Sequence, residues 1–275
     1  MKAPLPVLLL LAVLAGSAQA ATAQPSPEPA LVWAVGDGAD GSRAARVLAA
    51  RIAGERPARF LYLGDVYPSG TATDFRRRYQ PVYGRLDSIA APTPGNHDWG
   101  NRRSGYHPYW RRAKGRAQPA WYAFRLAGWE ILSLNSQAPH GQGSEQLRWL
   151  RARLSAPGTC RLAFWHRPRY SAGTVHGDQL DLAPFWNALR GHARLVVNGH
   201  EHNLQRFRRR DGLTQYVAGA GGRVRYGLRR DSRLAFGRSD RTGALRIQLE
   251  PERALLEFRS AGGALLDSSR ATCRS

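Results

Sequence analysis

Residues 31–37 read Leu-Val-Trp-Ala-Val-Gly-Asp, an unbroken apolar run that ends in a glycine and a metal-binding carboxylate. A short apolar run of this kind, closed by a turn signal, is the pattern of a buried strand. The same pattern returns four times. FLYL leads into Gly64-Asp65, IAAPTP into Gly95-Asn96-His97-Asp98, LAFW into His166, and RLVVN into Gly199-His200-Glu201-His202. Strands that each finish in Asp, Asn or His can set those side chains along one edge of a sheet. Two aspartates, one asparagine and three histidines suit two divalent cations, and a pair of cations suits phosphate ester hydrolysis.

Taken singly, these residues say less. An aspartate such as Asp37 or Asp65 at a strand end is as readily an N-cap or an Asx turn. His166 alone reads as a satisfied core or helix-capping histidine. Three adjacent ligand-type side chains in the turn Asn96-His97-Asp98 seldom serve packing. His200 and His202, two apart on an extended segment, face the same way, so one can reach each of two neighbouring metals. Glu201 between them points away. It is the joint occurrence, in this order, that outweighs the separate structural readings.

Around these segments strand and helix alternate. Strand 31–37 leads to helix 42–55 with Ser42 as its N-cap, and strand 58–66 leads to helix 71–86 capped by Thr71 or Thr73. A long Arg- and aromatic-rich loop, 97–120, follows the third segment and is expected to wall or cover a site. Segments 121–127 and 129–135 form a hairpin across Gly128, and Ser144 starts helix 145–155. Strand 160–166, helix 181–192 and strand 193–199 follow. Segments 203–208, 214–218, 244–250 and 254–259 then read as strands joined by turns. One α/β domain over 31–275, with mixed sheets and outer helices, fits this order.

The order Gly-Asp, Gly-Asp, Gly-Asn-His-Asp, His, Gly-His-x-His resembles the calcineurin-like metallophosphoesterases, and within them the purple acid phosphatase branch. The resemblance covers residues 31 to 220. It implies a four-layer α/β/β/α sandwich of two mixed β-sheets flanked by helices, with two metal ions (iron, zinc, manganese or calcium) at the strand ends. Carried over by position, Asp37 and His202 bind the first ion, Asp65 bridges, and Asn96, His166 and His200 hold the second. His97 matches the catalytic histidine that contacts the phosphate or protonates the leaving oxygen. The implied reaction is attack of a metal-activated hydroxide on a phosphate monoester.

Two departures stand out. Ala39 occupies the place where many metallophosphoesterases carry a further histidine, as expected for the phosphatase branch. That branch has a Tyr three residues after the bridging Asp, whereas here Tyr67 follows Asp65 by two and Pro68 stands third. Tyr67 either still reaches the first metal or packs beside it. His176, in the loop Ser171-Ala-Gly-Thr-Val-His176, is either brought to the substrate phosphate or exposed. Tyr170, Arg167 and Arg102 are weaker candidates, and His107, His140 and His192 are expected to be structural or solvent-facing. Trp99, Trp110, Trp121 and Trp129 cover the sheet or wall the pocket, with base stacking as an alternative.

The whole chain sets the remaining bounds. Residues 1–20 have a positive Lys2, an apolar Pro6–Ala15 and a small-residue Ala18-Gln19-Ala20, the pattern of a secretory signal. Residues 21–30 read as a flexible leader. No later run is long enough to span a bilayer as a helix, so a soluble exported protein is expected, and it is taken to be a monomer. Cys160 and Cys273, the sole cysteines, read as a disulfide in that compartment. The formal charge is +21, and removing residues 1–20 takes away only Lys2, leaving 21 − 1 = +20. Nearly all of it is arginine, scattered over 76–78, 102–103, 111–112, 206 and 208–210. This fits coding bias better than one binding stripe, although such a field would help to gather anionic substrates. The leading expectation is a phosphatase acting on phosphorylated small molecules. A phosphodiesterase or nuclease with the same centre is the alternative, and a non-enzymatic basic envelope- or nucleic-acid-binding protein comes third.

Overall fold

The protein is described from a computed structural model that covers Met1, residues 27–156 and residues 160–273. Apart from Met1, the expected signal lies outside the described residues, as do residues 21–26 of the leader. No helix among the described residues is long and apolar enough to cross a membrane.

Among the described residues thirteen strands form two sheets. In chain order they are β1 (Ala30–Val35), β2 (Arg59–Tyr62), β3 (Ala90–Pro92), β4 (Tyr122–Leu126), β5 (Trp129–Ser133), β6 (Cys160–Phe164) and β7 (Leu195–Asn198), then β8 (Leu204–Phe207), β9 (Thr214–Ala218), β10 (Leu234–Arg238), β11 (Gly243–Glu250), β12 (Arg253–Ser260) and β13 (Leu265–Thr272). The first sheet has the order β13-β12-β11-β1-β2-β3 and the second β10-β8-β9-β7-β6-β5-β4. In the first, β1, β2 and β3 run parallel while β11 to β13 are antiparallel. In the second, β5, β6, β7 and β9 pair in parallel, while the pairs β4–β5, β8–β9 and β8–β10 are antiparallel. Both sheets are therefore mixed.

Alternation of side chains along the inner strands builds the four layers. Val32 and Ala34 of β1, Ile131 of β5, Leu162 and Phe164 of β6, and Leu195 and Val197 of β7 meet between the sheets. The residues between them face outward. Trp33 and Val35 pack under the helix Arg43–Gly54 and the aromatic cluster of Phe75, Tyr79, Tyr83 and Trp110. Leu132, Ala163 and Val196 pack under the helices Glu145–Leu154 and Ala183–Leu189. Because these strands are covered on both faces, they read as continuous apolar runs.

Caps fall where the sequence places them. Ser42, Thr71 and Ser144 each accept a hydrogen bond from the N–H three residues on. The expected helix 71–86 is instead broken into Ala72–Asp74, a π-helical turn Phe75–Tyr79, Gln80–Tyr83 and a 3₁₀ turn Gly84–Ile89. Pro81 has no N–H to give to the carbonyl four residues back, so the ladder changes register around it. The expected loop 97–120 is half helical, with Asn96–Trp99 and Tyr106–Lys114. The second of these buries Tyr106, Tyr109 and Trp110. Trp110 and Trp129 are fully buried in the core, which removes both from any base-stacking role. Cys160 and Cys273 form a disulfide, with Cα atoms 5.2 Å apart, that ties the end of β13 to the start of β6.

Candidate metal centre

Every expected ligand follows the carboxyl end of a parallel strand. Asp37 comes two residues after β1, Asp65 three after β2, Asn96 four after β3, His166 two after β6 and His200 two after β7. The turns are tight. Asp37, Asp65 and His200 have φ of 60°, 67° and 71°, a left-handed backbone that non-glycine residues adopt at a cost. Close approach of these turns explains two of the preceding glycines. At Gly64, whose φ is 99°, a Cβ would lie 2.6 Å from the Gly95 nitrogen, and at Gly95 it would lie 1.9 Å from Asp65 Oδ1.

The side chains converge as two groups that share one atom. In the first, Tyr67 Oη lies 2.9 Å from Asp37 Oδ1, 2.9 Å from His202 Nε2 and 3.2 Å from Asp65 Oδ2. In the second, His166 Nε2 lies 3.0 Å from Asn96 Oδ1, 3.1 Å from His200 Nδ1 and 3.4 Å from Asp65 Oδ2. Asp65 Oδ2 belongs to both. Asp37, Asp65 and His166 are all buried, and their ligand atoms fall within 4.8 Å of one another.

The donor chemistry fits metal ions. His166 Nδ1 is 2.7 Å from the Leu63 carbonyl and His202 Nδ1 is 2.6 Å from the Val224 carbonyl. A carbonyl can only accept, so each Nδ1 carries a proton, and Nε2 is the nitrogen that faces inward and offers a lone pair once it gives up its own proton to a cation. Ligating histidines are normally oriented in this way. Both groups then present mainly acceptor atoms to one another, an arrangement that a cation resolves. The electrostatics agree. Burial opposes charging of His166, yet Asp65 and Asp37 hold its pKa up at about 9. Burial also works against the Asp65 carboxylate, but His166 and His97 outweigh it and keep this acid below the usual range. Burial, with His166 beside it, pushes His200 well down. Burial and then Asp37 and Asp65 push the Tyr67 phenol well up.

Tyr67 therefore enters the cluster despite following Asp65 by only two residues. Val66 between them pairs with Ala39 in a parallel bridge. Residues on either side of a paired position share a face, so Asp65 and Tyr67 point the same way. The Tyr67–Pro68 peptide is cis.

His97 stands at the rim with a 38% exposed side chain. Its Nδ1 is 2.5 Å from the Pro68 carbonyl, its Nε2 is 3.9 Å from Asp65 Oδ2, and its backbone N–H donates to Asp65 Oδ1 over 2.9 Å. His176 is exposed on one side and stacks its ring on His200, with centroids 4.0 Å apart. Tyr226 stacks on His202 at 3.9 Å, and the Arg223 guanidinium lies over the Tyr67 ring at 4.6 Å. The sequence reading passed over Tyr226 and Arg223, which sit in a glycine-flanked stretch with no ligand spacing.

Two acids of the ligand motifs serve the turns. Asp98 is buried and accepts from the N–H groups of Asp65 (2.9 Å), Val66 (2.8 Å) and Gly95 (2.8 Å). Burial and then Asp65 push it up to about 7. Glu201 indeed points away from the cluster. Arg167 instead pairs with Asp181, Arg102 lies over Trp99, and Tyr170 is buried under arginines, so none of these joins the cluster. His140 sits between the Ala138 carbonyl and Asp181, and His107 rests against Trp99 and Tyr106.

Two mixed sheets lie between helices, with carboxylates, imidazoles, an amide and a phenol gathered at the ends of parallel strands as a candidate metal centre. A model of the calcineurin-like phosphoesterase family matches residues 30–204, and the chain belongs to that family. A probable cyclic nucleotide phosphodiesterase of Psychrobacter sp. is 32% identical over 146 residues, which cover 45% of this chain and 42% of that relative. The match thus spans less than half the length of the curated relative. Among solved structures, a purple acid phosphatase from yellow lupin (Lupinus luteus) seeds superposes with a TM-score of 0.73 at 13% identity, over 90% of this chain and 54% of that one. A dimetal phosphatase from Danio rerio gives 0.63 at 14%, over 90% and 99%. GAP50, the anchor in the inner membrane complex of Plasmodium, gives 0.73 at 16%, over 90% of each. At these identities the structural likeness shows the fold.

Proposed function

We propose that this protein is an exported phosphatase that hydrolyses phosphate monoesters at a centre of two metal ions. The observation that carries the reading is the pair of four-donor sets joined through Asp65 Oδ2. Asp37, Tyr67, His202 and Asp65 would hold the first ion, and Asn96, His166, His200 and Asp65 the second. Two cations bound there would screen the phosphate charge and lower the pKa of a water molecule enough to supply a nucleophile near neutral pH.

The rest falls to the chain itself. His97, its Nδ1 fixed on the Pro68 carbonyl, turns Nε2 toward Asp65 and is the group that would pass a proton to the departing alkoxide. His176 would contact the phosphate oxygens from its seat on His200. A monoester is favoured because two loops close over the His200–His202 side. Thr174 N–H donates to the Gly227 carbonyl and Arg229 N–H to the Ala172 carbonyl, so residues 172–177 and 221–229 form one wall. Convergence of all six expected ligands, with Tyr67 as a seventh, speaks against a purely binding role. Export rests on the signal pattern of residues 1–20 and on the Cys160–Cys273 disulfide.

A second reading, hydrolysis of phosphodiesters, is favoured by the phosphodiesterase relative alone. Parallel assay of p-nitrophenyl phosphate and bis-p-nitrophenyl phosphate separates the two. Monoester preference is expected, and a clear diester preference would overturn it. Asp65→Asn should abolish turnover by weakening both ligand sets at once. Retained activity would refute the assignment. Metal analysis with a visible spectrum identifies the ions, a tyrosinate band marking iron(III) in the first set.

A further inference from the structure

Glu201 stands between the two histidines of the last motif, and its side chain is fully buried. A buried carboxylate costs free energy unless hydrogen bonds compensate it. The compensation comes from one loop. Glu201 Oε1 accepts from the backbone N–H of His176 (3.1 Å) and of Gly177 (2.8 Å). Oε2 has no hydrogen-bond partner among the described residues and lies against Gly173, where a Cβ would stand 2.0 Å from it. The sequence thus keeps an acid in a slot that admits it only because residue 173 lacks a side chain.

The other ties of this loop act at its base or on its far side. Ser171 N–H donates to Asp178 Oδ1 (2.8 Å), Ala172 N–H to Gln205 Oε1 (2.8 Å), Gly173 N–H to Ser171 Oγ (2.9 Å) and Thr174 N–H to the Gly227 carbonyl (3.0 Å). Among the described residues the backbone N–H groups of His176 and Gly177 are held by Glu201 alone, and the sole other tie is a long one, from Gln179 Nε2 to the Gly177 carbonyl (3.5 Å). Because Glu201 is bonded directly to His200 and His202 in the chain, it fixes the loop to the same segment that carries two ligands.

We infer that Glu201 is a positioning residue, whose two hydrogen bonds set His176 over His200 at the phosphate site. The inference rests on the reading of His176 as a phosphate contact. With Glu201→Ala the loop loses this anchor while the side chains of both ligand sets stay.

The test is a double-mutant cycle in the full-length protein, with amide hydrogen exchange as a second readout. A hydrogen bond to a charged group carries enough free energy that Glu201→Ala should lower kcat/KM about tenfold or more. The amides of His176 and Gly177 should lose protection. Glu201→Gln keeps an acceptor oxygen and should restore most of the loss. In a His176→Ala background, Glu201→Ala should change kcat/KM by less than about twofold, since the group it positions is gone. Equal losses in both backgrounds would overturn the inference, because a merely structural role does not depend on His176. If His176→Ala alone is silent while the two amides lose protection in Glu201→Ala, the phosphate-contact reading has failed and takes the positioning role with it. If His176→Ala is damaging but the amides stay protected in Glu201→Ala, the anchor itself is wrong. Should Glu201→Ala not fold, Gly173→Ala, which displaces the carboxylate, must give the same exchange signature and the same dependence on His176.

Discussion

Replacing Tyr67 by Phe removes one oxygen from the centre and little else. The ring is 3% exposed and held between His97, at a centroid distance of 4.6 Å, and the Arg223 guanidinium, at 4.6 Å. Both contacts need only the ring, so Phe keeps them. The hydroxyl is what goes, together with its approach to Asp37 Oδ1, His202 Nε2 and Asp65 Oδ2. In metal-free protein one hydroxyl proton serves one buried carboxylate at a time. The loss is therefore that of a single charged hydrogen bond, about 2 kcal/mol. For a domain of this size that lowers Tm by about 4–8 °C. With metal present the effect divides unevenly, because the first donor set falls from four to three while the second is untouched. Loss even of an outer partner of a ligand weakens metal affinity about 10–100-fold, so loss of a direct donor should do at least as much. Chelator competition followed by metal analysis reads this directly. Wild-type protein should hold two ions at an intermediate chelator concentration at which Tyr67→Phe holds one. A variant that keeps both ions with unchanged affinity would show that Tyr67 only packs beside the site.

Three further outcomes follow from other parts of the molecule. The Cys160–Cys273 disulfide closes a loop with a sequence separation of 113, so Cys273→Ser should cost about 2–5 kcal/mol; a urea midpoint equal to that of the oxidised wild type, measured without reductant, would contradict this. Asp98→Asn leaves one acceptor oxygen for three buried N–H groups, which should cost about 1–3 kcal/mol and loosen metal binding by freeing the Asp65 turn. Wild-type melting and stoichiometry in that variant would refute the clamp. Burial brings Lys114 down to about 8 from 10.5, with Arg59 and Arg116 assisting and Asp87 opposing. Its folded pKa lies below its unfolded one, so the unfolded chain holds more protons between those values and this group makes stability rise from pH 8 to pH 10.5. Lys114 is the sole lysine besides Lys2, and ¹³C-methyl labelling should show it titrating near 8; titration near 10.5 would refute the burial argument.

The strand ends that carry the candidate ligands were legible because two physical demands coincide in them. A strand buried on both faces must be apolar throughout, and a sharp turn at its end favours a glycine just before the ligand. Tyr67 was harder to place, since its direction depends on the turn through Gly64 and Asp65 and on the Val66–Ala39 bridge, a long-range pairing. The helix Tyr106–Lys114 had its signal in Tyr106, Tyr109, Trp110 and Ala113, apolar positions at i, i+3, i+4 and i+7. Pro108 hid it, although proline is tolerated in a first turn. Strands β10 and β13 escaped because they are sheet edges, half exposed, with no continuous apolar run to mark them.

Asp98 and Glu201 show how an acid within a ligand motif can serve the backbone instead of the cluster. Both are acids beside ligands, both are buried, and neither side chain joins the ligand cluster. A centre assembled from strand-end turns sets its donors on backbone whose N–H groups have no ladder to pair with, and buried N–H groups need acceptors. A carboxylate answers that need economically, since its two oxygens can take two or three N–H groups at once. Asp98 does so for the turns of Asp65 and Gly95, and Glu201 does so for the loop of His176. Sequence spacing alone cannot separate such an acid from a ligand, because both must sit next to the turn. What separates them is direction: the tight turns around His200, whose φ is 71°, send the middle side chain away from the two histidines and toward the loop that needs it.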